Sequence, residues 1–340
     1  MGKLKVVMVG TGNIAGIHLG VLTAREDVEL AGVFDVVPEA ATRAAQKWGT
    51  VAYSSLTDML DQAKPDAVWI CTPPTGRGDA LLACAQRDIP VFCEKPWGVN
   101  SEHGCELLAS LPESYLRKIQ NGYLFRSMPV VRLLKRLLEN DRLVGAHSSY
   151  VHDIALTKVV PEWLFDKDKS GGMIIEQGTH NMDLLRYFLG ECQEVAGMAC
   201  NPVTPKGGKY TIEEVVAVPM LFEKSVLATH YHTWVGHGWR NEFQFIGEKA
   251  FYRLQPMEQR LIVEDPGEKI APGTEGMSWH PEWKEHRYQD TEKGIFYYET
   301  DHFLQMVRSG DWSENPSTPW EAQTSLEFTF RVDRALSFLG

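Results

Sequence analysis

The stretch Val6-Val7-Met8-Val9-Gly10-Thr11-Gly12-Asn13-Ile14-Ala15 decides the fold, because an apolar β-type run passes directly into a glycine-rich helix start. Gly10 permits the tight turn, and Gly12 lets a pyrophosphate approach the main chain. Ala15 occupies the place often held by a third glycine and is small enough for the helix to lie on the strand. The helix N-terminus, from Asn13 and Ile14 onward, then offers amide donors and a positive dipole end to the phosphates. Working outward, Leu30-Ala31-Gly32-Val33-Phe34-Asp35 is a second apolar strand ending in an acid at the spacing where a carboxylate accepts hydrogen bonds from a ribose. Asp35 repels a 2'-phosphate and Val36 and Val37 supply no guanidinium, so NAD is expected in preference to NADP.

Further β-type runs near Ala67 to Cys71, Val91 to Cys93 and Lys118 to Gly122 alternate with amphipathic segments, as a parallel sheet with crossover helices requires. Ligands of such sheets collect at the carboxyl ends of the strands. Gly10, Asp35, Thr72 with Pro73, and Glu94 with Lys95 are therefore expected at one crevice and are read as cofactor-binding. After Gly122 the pattern changes to a helix from Pro129 to Glu139, a strand, a helix opened by Ser170-Gly171-Gly172, and β-type runs from Val195 to Val263. Alternation in Glu213 to Phe222, Ser225 to Trp234 and Glu242 to Ile246 predicts antiparallel strands with one covered face. Asp265 to Lys293, with Trp279, His280 and Trp283, reads as a long surface loop. Helices close the chain from Phe296 to Arg308 and from Trp320 to Phe338. The expected fold class is α/β, a Rossmann doubly wound parallel sheet in residues 1–122 followed by an α+β domain in residues 123–340 with an open, mostly antiparallel sheet.

Composition narrows the function classes. A chain of 340 residues exceeds a usual single core, which favours two domains. Its net charge of -11 with no basic run argues against nucleic acid as a partner. No apolar run reaches the length of a membrane span, and the first strand begins by Leu4, so a cytoplasmic protein with no membrane partner is expected. The cysteines Cys71, Cys84, Cys93, Cys105, Cys192 and Cys200 show no CxxC spacing and read as free, buried thiols.

Two segments carry reactive side chains. In Cys93-Glu94-Lys95-Pro96 the lysine falls at a strand's carboxyl end, where its ammonium can hold a substrate hydroxyl and steady the alkoxide character that develops as hydride leaves; otherwise it is a surface lysine paired with Glu94. In Glu176-Gln177-Gly178-Thr179-His180-Asn181-Met182-Asp183, helical spacing projects Glu176 and His180 together, with Asp183 one turn on. A histidine suits removal of the hydroxyl proton, and a carboxylate orients its ring. The catalytic set is thus read as Lys95, His180 and Glu176. A metal is not expected, since ligands on one helix form no complete sphere. A histidine paired with Asp183 inside the fold is the alternative. Tyr150 and Trp163 are read as a stacking wall for an apolar ring face or as core residues, and Asp183 as a further substrate contact. His230 and His232 share a strand face and, with His237, are read as an ordinary half-exposed sheet face, with lining of the substrate cavity as the alternative; whether His147 and His152 point into the cleft the sequence leaves undecided.

With Gly10-Thr11-Gly12, Asp35, Thr72-Pro73-Pro74, Glu94-Lys95-Pro96, Gly171-Gly172 and Glu176 to Asp183 in this order, the chain resembles the glucose-fructose oxidoreductase and inositol dehydrogenase (Gfo/Idh/MocA) family over nearly its whole length. The resemblance implies an N-terminal Rossmann domain and a C-terminal domain whose open sheet serves as an oligomer interface, giving a homodimer or homotetramer. It implies that Lys95 touches substrate and nicotinamide, with His180 as proton-transfer residue and Glu176 as its partner. It also implies a contact from Arg126, in Asn121 to Arg126, to cofactor or substrate. Glu176 stands where many relatives carry Asp, and Gly76-Arg77 where a histidine commonly follows the Thr-Pro turn. The expected activity is NAD-dependent oxidation of a secondary hydroxyl on a sugar, cyclitol or glycoside. Rivals are an enzyme that retains NAD for epimerisation or redox-type glycoside cleavage, and a non-catalytic dinucleotide sensor.

Overall fold

The computed structural model describes residues 2–156, 162–203, 211–265 and 284–338. In chain order its first part holds β1 (Leu4–Val9), α1 (Asn13–Thr23), β2 (Val28–Phe34), α2 (Pro38–Trp48), α3 (Leu56–Ala63), β3 (Ala67–Ile70), α4 (Gly78–Gln86), β4 (Val91–Cys93), α5 (Ser101–Ser110), α6 (Glu113–Leu116) and β5 (Ile119–Asn121). Then follow α7 (Pro129–Leu138), β6 (Leu143–Val151), α8 (Lys167–Ser170), α9 (Thr179–Leu189), β7 (Cys192–Val195), β8 (Gly197–Cys200), β9 (Val215–Phe222) and β10 (Leu227–Thr233). The rest comprises β11 (Arg240–Gly247), β12 (Phe251–Gln255), β13 (Arg260–Asp265), β14 (Lys284–Gln289), α10 (Ile295–Ser309), α11 (Pro319–Arg334) and β15 (Leu336–Phe338). Two compact units result, Met1–Ser127 with Gly294–Glu327, and Met128–Lys293 with Phe328–Gly340.

The first unit is built on a five-stranded parallel sheet of order β2-β1-β3-β4-β5. Its central strands are apolar on both faces, as strands covered on both sides by helices must be; Val6, Val7, Met8, Val68, Trp69 and Ile70 are all inaccessible. One face packs with Ala15 and Leu19 of α1 and also with Phe303, Leu304 and Met306 of α10. This differs from the division expected from sequence, which left everything after residue 122 to the second domain. The apolar stripe of α10 completes the core beside Trp69 and Phe92, so residues 294–327 belong with the Rossmann sheet.

The second unit carries a ten-stranded sheet of order β14-β13-β12-β11-β6-β10-β9-β8-β15, with β7 paired to β9. Most pairs are antiparallel, but β10 runs parallel to β6 and β15 parallel to β8. The register aligns Asn241, Tyr150 and His232 in one row across β11, β6 and β10. Helix α9 packs on β6 over the face bearing these residues. Lys284–Gln289 of the presumed loop is an edge strand paired with β13, while residues 266–283, Trp279 to Trp283 included, lie outside the described residues. The closing helix ends at Arg334, after which Leu336–Phe338 turns into a strand. Ser170-Gly171-Gly172 lies between two helical segments, ending α8 and leading, as expected, into the run that starts at Met173, with Gly171 and Gly172 both at positive φ. A Cβ on Gly172 would stand 2.8 Å from Glu213 Oε1, so glycine there lets a buried carboxylate close on the start of the next helical segment.

Candidate active site

At the carboxyl edge of the first unit's sheet, Gly10 takes φ +85 and a Cβ there would lie 2.8 Å from the carbonyl oxygen of Cys71. Only glycine lets β1 turn so tightly against the chain leaving β3. Gly12 caps α1 with open space where its side chain would be, and Gly12 and Asn13 are exposed. Gly10, Thr11, Gly12, Asp35, Thr72 and Pro73 line a cavity of about 400 Å³. Asp35 Oδ2 accepts hydrogen bonds from the amide and the hydroxyl of Thr11, each at 2.8 Å, and Oδ1 accepts from the amide of Val37 at 2.9 Å. The turn, the open helix end and the anchored carboxylate fit a dinucleotide, with its phosphates at α1 and its ribose at Asp35.

Lys95 lies at the same edge, just past β4, and its peptide bond to Pro96 is cis. Glu94 does not line this cavity as expected from sequence. It is buried, with Oε1 2.7 Å from His18 Nε2 and Oε2 accepting the amide of Lys95 at 3.0 Å. Beside it, Glu299 of α10 is inaccessible; burial first, and then the charge of Glu94, hold its carboxyl well above the usual carboxylate range. His18, Glu94 and Glu299 bring ligand-type atoms within 4.8 Å of one another, a group whose parts are too far apart in sequence to be found by spacing. Arg126, expected at cofactor or substrate, is instead buried with Nη1 donating to the carbonyl of Pro316 at 3.0 Å and to Glu321 at 3.1 Å. Three of the six cysteines, Cys71, Cys84 and Cys93, are buried and all six are free; Cys105 is exposed.

In the second unit the segment Glu176 to Asp183 is not one α-helix. Ile174–Gly178 forms a π-helical turn that passes into α9 at Thr179, a local widening that recurs at functional sites. Glu176 and His180 are half-buried on either side of this junction, whereas Asp183 is buried in α9. Gln177 fixes the turn to the sheet: its Nε2 donates to Tyr150 Oη at 2.6 Å and its Oε1 accepts from Trp234 Nε1 at 2.5 Å. Trp239 Nε1 also donates to Tyr150 Oη, at 2.8 Å. Burial above all, with a contribution from the Glu176 charge, raises the Tyr150 phenol and keeps it protonated. With two donors already on its oxygen, that hydroxyl has its own proton to give.

Tyr150 stacks on His232 at 4.7 Å between ring centroids, and His152 stands 5.2 Å from Trp239. Trp239 is 54% exposed and Trp163 48% exposed. Trp239 was missed in sequence, although it stands just before β11 in step with the buried Asn241, Phe243 and Phe245. His230 and His232 are not half-exposed but fully buried, and burial pushes His230 down to about 3 and His232 well below its ordinary value. His230 is held between Ser148 Oγ at 2.7 Å and His232 Nδ1 at 3.2 Å. His147 lies on the opposite face, bonded to Thr229, and His237 is exposed.

Two family profiles match the chain: an oxidoreductase family NAD-binding Rossmann fold over residues 4–123, and the GFO/IDH/MocA C-terminal domain over residues 131–253. The chain belongs to the Gfo/Idh/MocA family. It is an oxidoreductase with an NAD-binding domain. Among Gfo/Idh/MocA relatives, inositol 2-dehydrogenase 2 of Mycolicibacterium vanbaalenii is 26% identical over 94% of this chain and 89% of its own length. Rhizopine catabolism protein MocA of Rhizobium meliloti is 28% identical over 56% of this chain and 59% of its own. The fold is shared with levoglucosan dehydrogenase in complex with NADH, at a TM-score of 0.80 and 17% identity over 98% of this chain and 96% of that one. It is shared too with a myo-inositol dehydrogenase from Corynebacterium glutamicum, at 0.77 and 19% over 98% and 96%. Among the described residues no helix is long and apolar enough to cross a membrane.

Proposed function

We propose that this enzyme oxidises a secondary hydroxyl of a sugar, cyclitol or glycoside, or runs the reverse reaction, with NAD preferred to NADP. The observation that carries the substrate class is the polar and aromatic surface of the second unit. Exposed Trp239 and half-buried His152 present ring faces, the buried Tyr150 hydroxyl behind them keeps its own proton to donate, and Glu176 stands close to Tyr150. Ring hydroxyls and an apolar ring face call for that combination. The names of the relatives, inositol and levoglucosan dehydrogenases, support the same class.

In this reading His180 accepts the hydroxyl proton and Glu176 orients the imidazole and stabilises its charged form. Lys95 donates to the substrate oxygen and stabilises the negative charge that develops on it. Gly10, Gly12, Asn13 and Ile14 hold the pyrophosphate, Thr72 and Pro73 border the same crevice, and Asp35 takes the ribose hydroxyls. The bound nicotinamide supplies the hydride acceptor. Asp183 supports the helix from within, and Trp163 is a second ring face for substrate.

Homo-oligomer formation through the uncovered face of the ten-stranded sheet is part of the proposal. Leu227 and Ile246 flank Gly145 in one row of that face, and Tyr231 lies further along it; all three side chains are exposed. Leu227→Asp with Ile246→Asp then yields monomers in sedimentation.

A panel of inositols, sugars and glycosides with NAD, followed by the absorbance of reduced nicotinamide, tests the activity. Net accumulation of NADH supports a dehydrogenase. Conversion of a sugar without net NADH would replace it with an enzyme that re-reduces its own intermediate, and no conversion anywhere in the panel would favour a sensor.

A further inference from the structure

Arg77 is a fully buried cation set between Gly76 and Gly78 at the N-terminus of α4, the end of a helix where positive charge is disfavoured. Something other than the helix must account for it. Its two terminal nitrogens donate to main-chain carbonyls: Nη2 donates to Thr72 at 2.8 Å, and Nη1 donates to Glu94 at 2.6 Å and to Pro96. These oxygens lie just beyond the last paired residues of β3 and β4, where the ladder no longer serves them and burial demands a partner. A guanidinium meets that demand because its donors spread in a rigid planar fork; an ammonium has no such reach.

Two of the three carbonyls belong to the residues on either side of Lys95. The amide of Lys95 itself is taken by Glu94 Oε2, whose other oxygen is fixed by His18. Buried charged groups therefore hold the main chain of this segment from both sides, Arg77 on its carbonyls and Glu94 on its amide, and tie it through Thr72 to the turn that borders the cofactor crevice.

We propose that Arg77 is a positioning residue for the hydride-transfer reaction: its guanidinium fixes the Glu94–Pro96 main chain and so sets where the Lys95 ammonium meets the substrate oxygen. The inference rests on the reading of Lys95 as the group that contacts that oxygen. A misplacement of about 1 Å at such a group costs on the order of 100-fold in rate.

The test uses the full chain with NAD and a substrate found in the panel, comparing Arg77→Lys, Arg77→Ala and Lys95→Met with the wild type. Expected are a fall in kcat of about 100-fold in Arg77→Ala and at least about tenfold in Arg77→Lys, with NADH Kd and substrate KM within about threefold of wild type. Guanidinium ion added to Arg77→Ala restores part of the lost kcat, and urea at the same concentration does not. A kcat within about twofold of wild type in a folded Arg77→Ala, or a loss confined to KM and NADH Kd, overturns the proposal. Failure of both Arg77 variants to fold also overturns it, by making Arg77 a residue of core stability alone. An active Lys95→Met would instead overturn the reading of Lys95.

Discussion

The carboxylate of Asp35 accepts both the amide and the hydroxyl of Thr11 at 2.8 Å, so the acid that ends β2 is locked to the turn that ends β1. Its position is thereby fixed before any cofactor binds, at the site where a 2'-phosphate would meet a negative charge. Val36, 84% exposed, borders the same cavity. Asp35→Ser combined with Val36→Arg removes the repulsion and adds a guanidinium. The ratio of kcat/KM for NAD to that for NADP is expected to fall at least about tenfold, corresponding to about 1.4 kcal/mol. An unchanged ratio contradicts the assignment of Asp35 to the ribose.

Trp239 donates to Tyr150 yet leaves half of its ring exposed. If the ring carries an apolar sugar face, Trp239→Ala raises substrate KM about tenfold while NADH Kd stays within about twofold, and Trp239→Phe recovers part of the affinity. Equal KM in all three proteins removes Trp239 from the site.

Buried His230 and His232 make the second unit sensitive to acid. Their folded pKa values lie below the unfolded value, so the unfolded chain binds more protons as pH falls. Stability is complete above the unfolded pKa and is lost on acidification below it. For His230 the loss is about 1.4 kcal/mol per pH unit between about 6.5 and about 3. Urea midpoints measured between about pH 7 and pH 5 should show a shallower slope in His230→Gln than in wild type. Parallel slopes would mean that the histidine is not buried neutral.

Glu299 acts in the opposite direction. Its folded pKa is raised above the unfolded one, so its contribution is complete at low pH and is lost as pH rises toward the folded value. Glu299→Gln keeps the shape and removes the titration. Relative to wild type, the thermal midpoint of the variant should therefore improve as pH is raised above about 4.5 toward neutrality. A constant difference across that range would show that Glu299 is not held protonated by the fold.

The Rossmann sheet is legible in the sequence because β1, β3 and β4 are covered on both faces and read as unbroken apolar runs, each stopped by turn chemistry at Gly10, Thr72 or Glu94. The return of α10 to that sheet is not legible. Its apolar stripe of Phe303, Leu304 and Met306 says that the helix packs, not which sheet receives it. The parallel pairing of β10 with β6 escapes detection for a related reason, since alternation reports a covered face and not strand direction. In the candidate site, helical spacing pairs Glu176 with His180, but the π turn that holds Glu176 leaves no periodic signature over five residues. Glu94 is expected at the crevice because it ends a parallel strand, but its side chain turns to His18 of α1 and lies beside Glu299 of α10, neighbours that no spacing brings to it. Arg77 left one usable sign, a cation at a helix start where its charge is unwelcome.

The central claim is that Lys95 and His180 perform the chemistry while the crevice at Gly10 and Asp35 holds the cofactor. Its most direct measurement is kcat alongside NADH Kd for Lys95→Met and His180→Ala. The account predicts a fall in kcat of on the order of 100-fold or more in each, with NADH Kd within about threefold of wild type. Turnover within about threefold of wild type in either folded variant would contradict it.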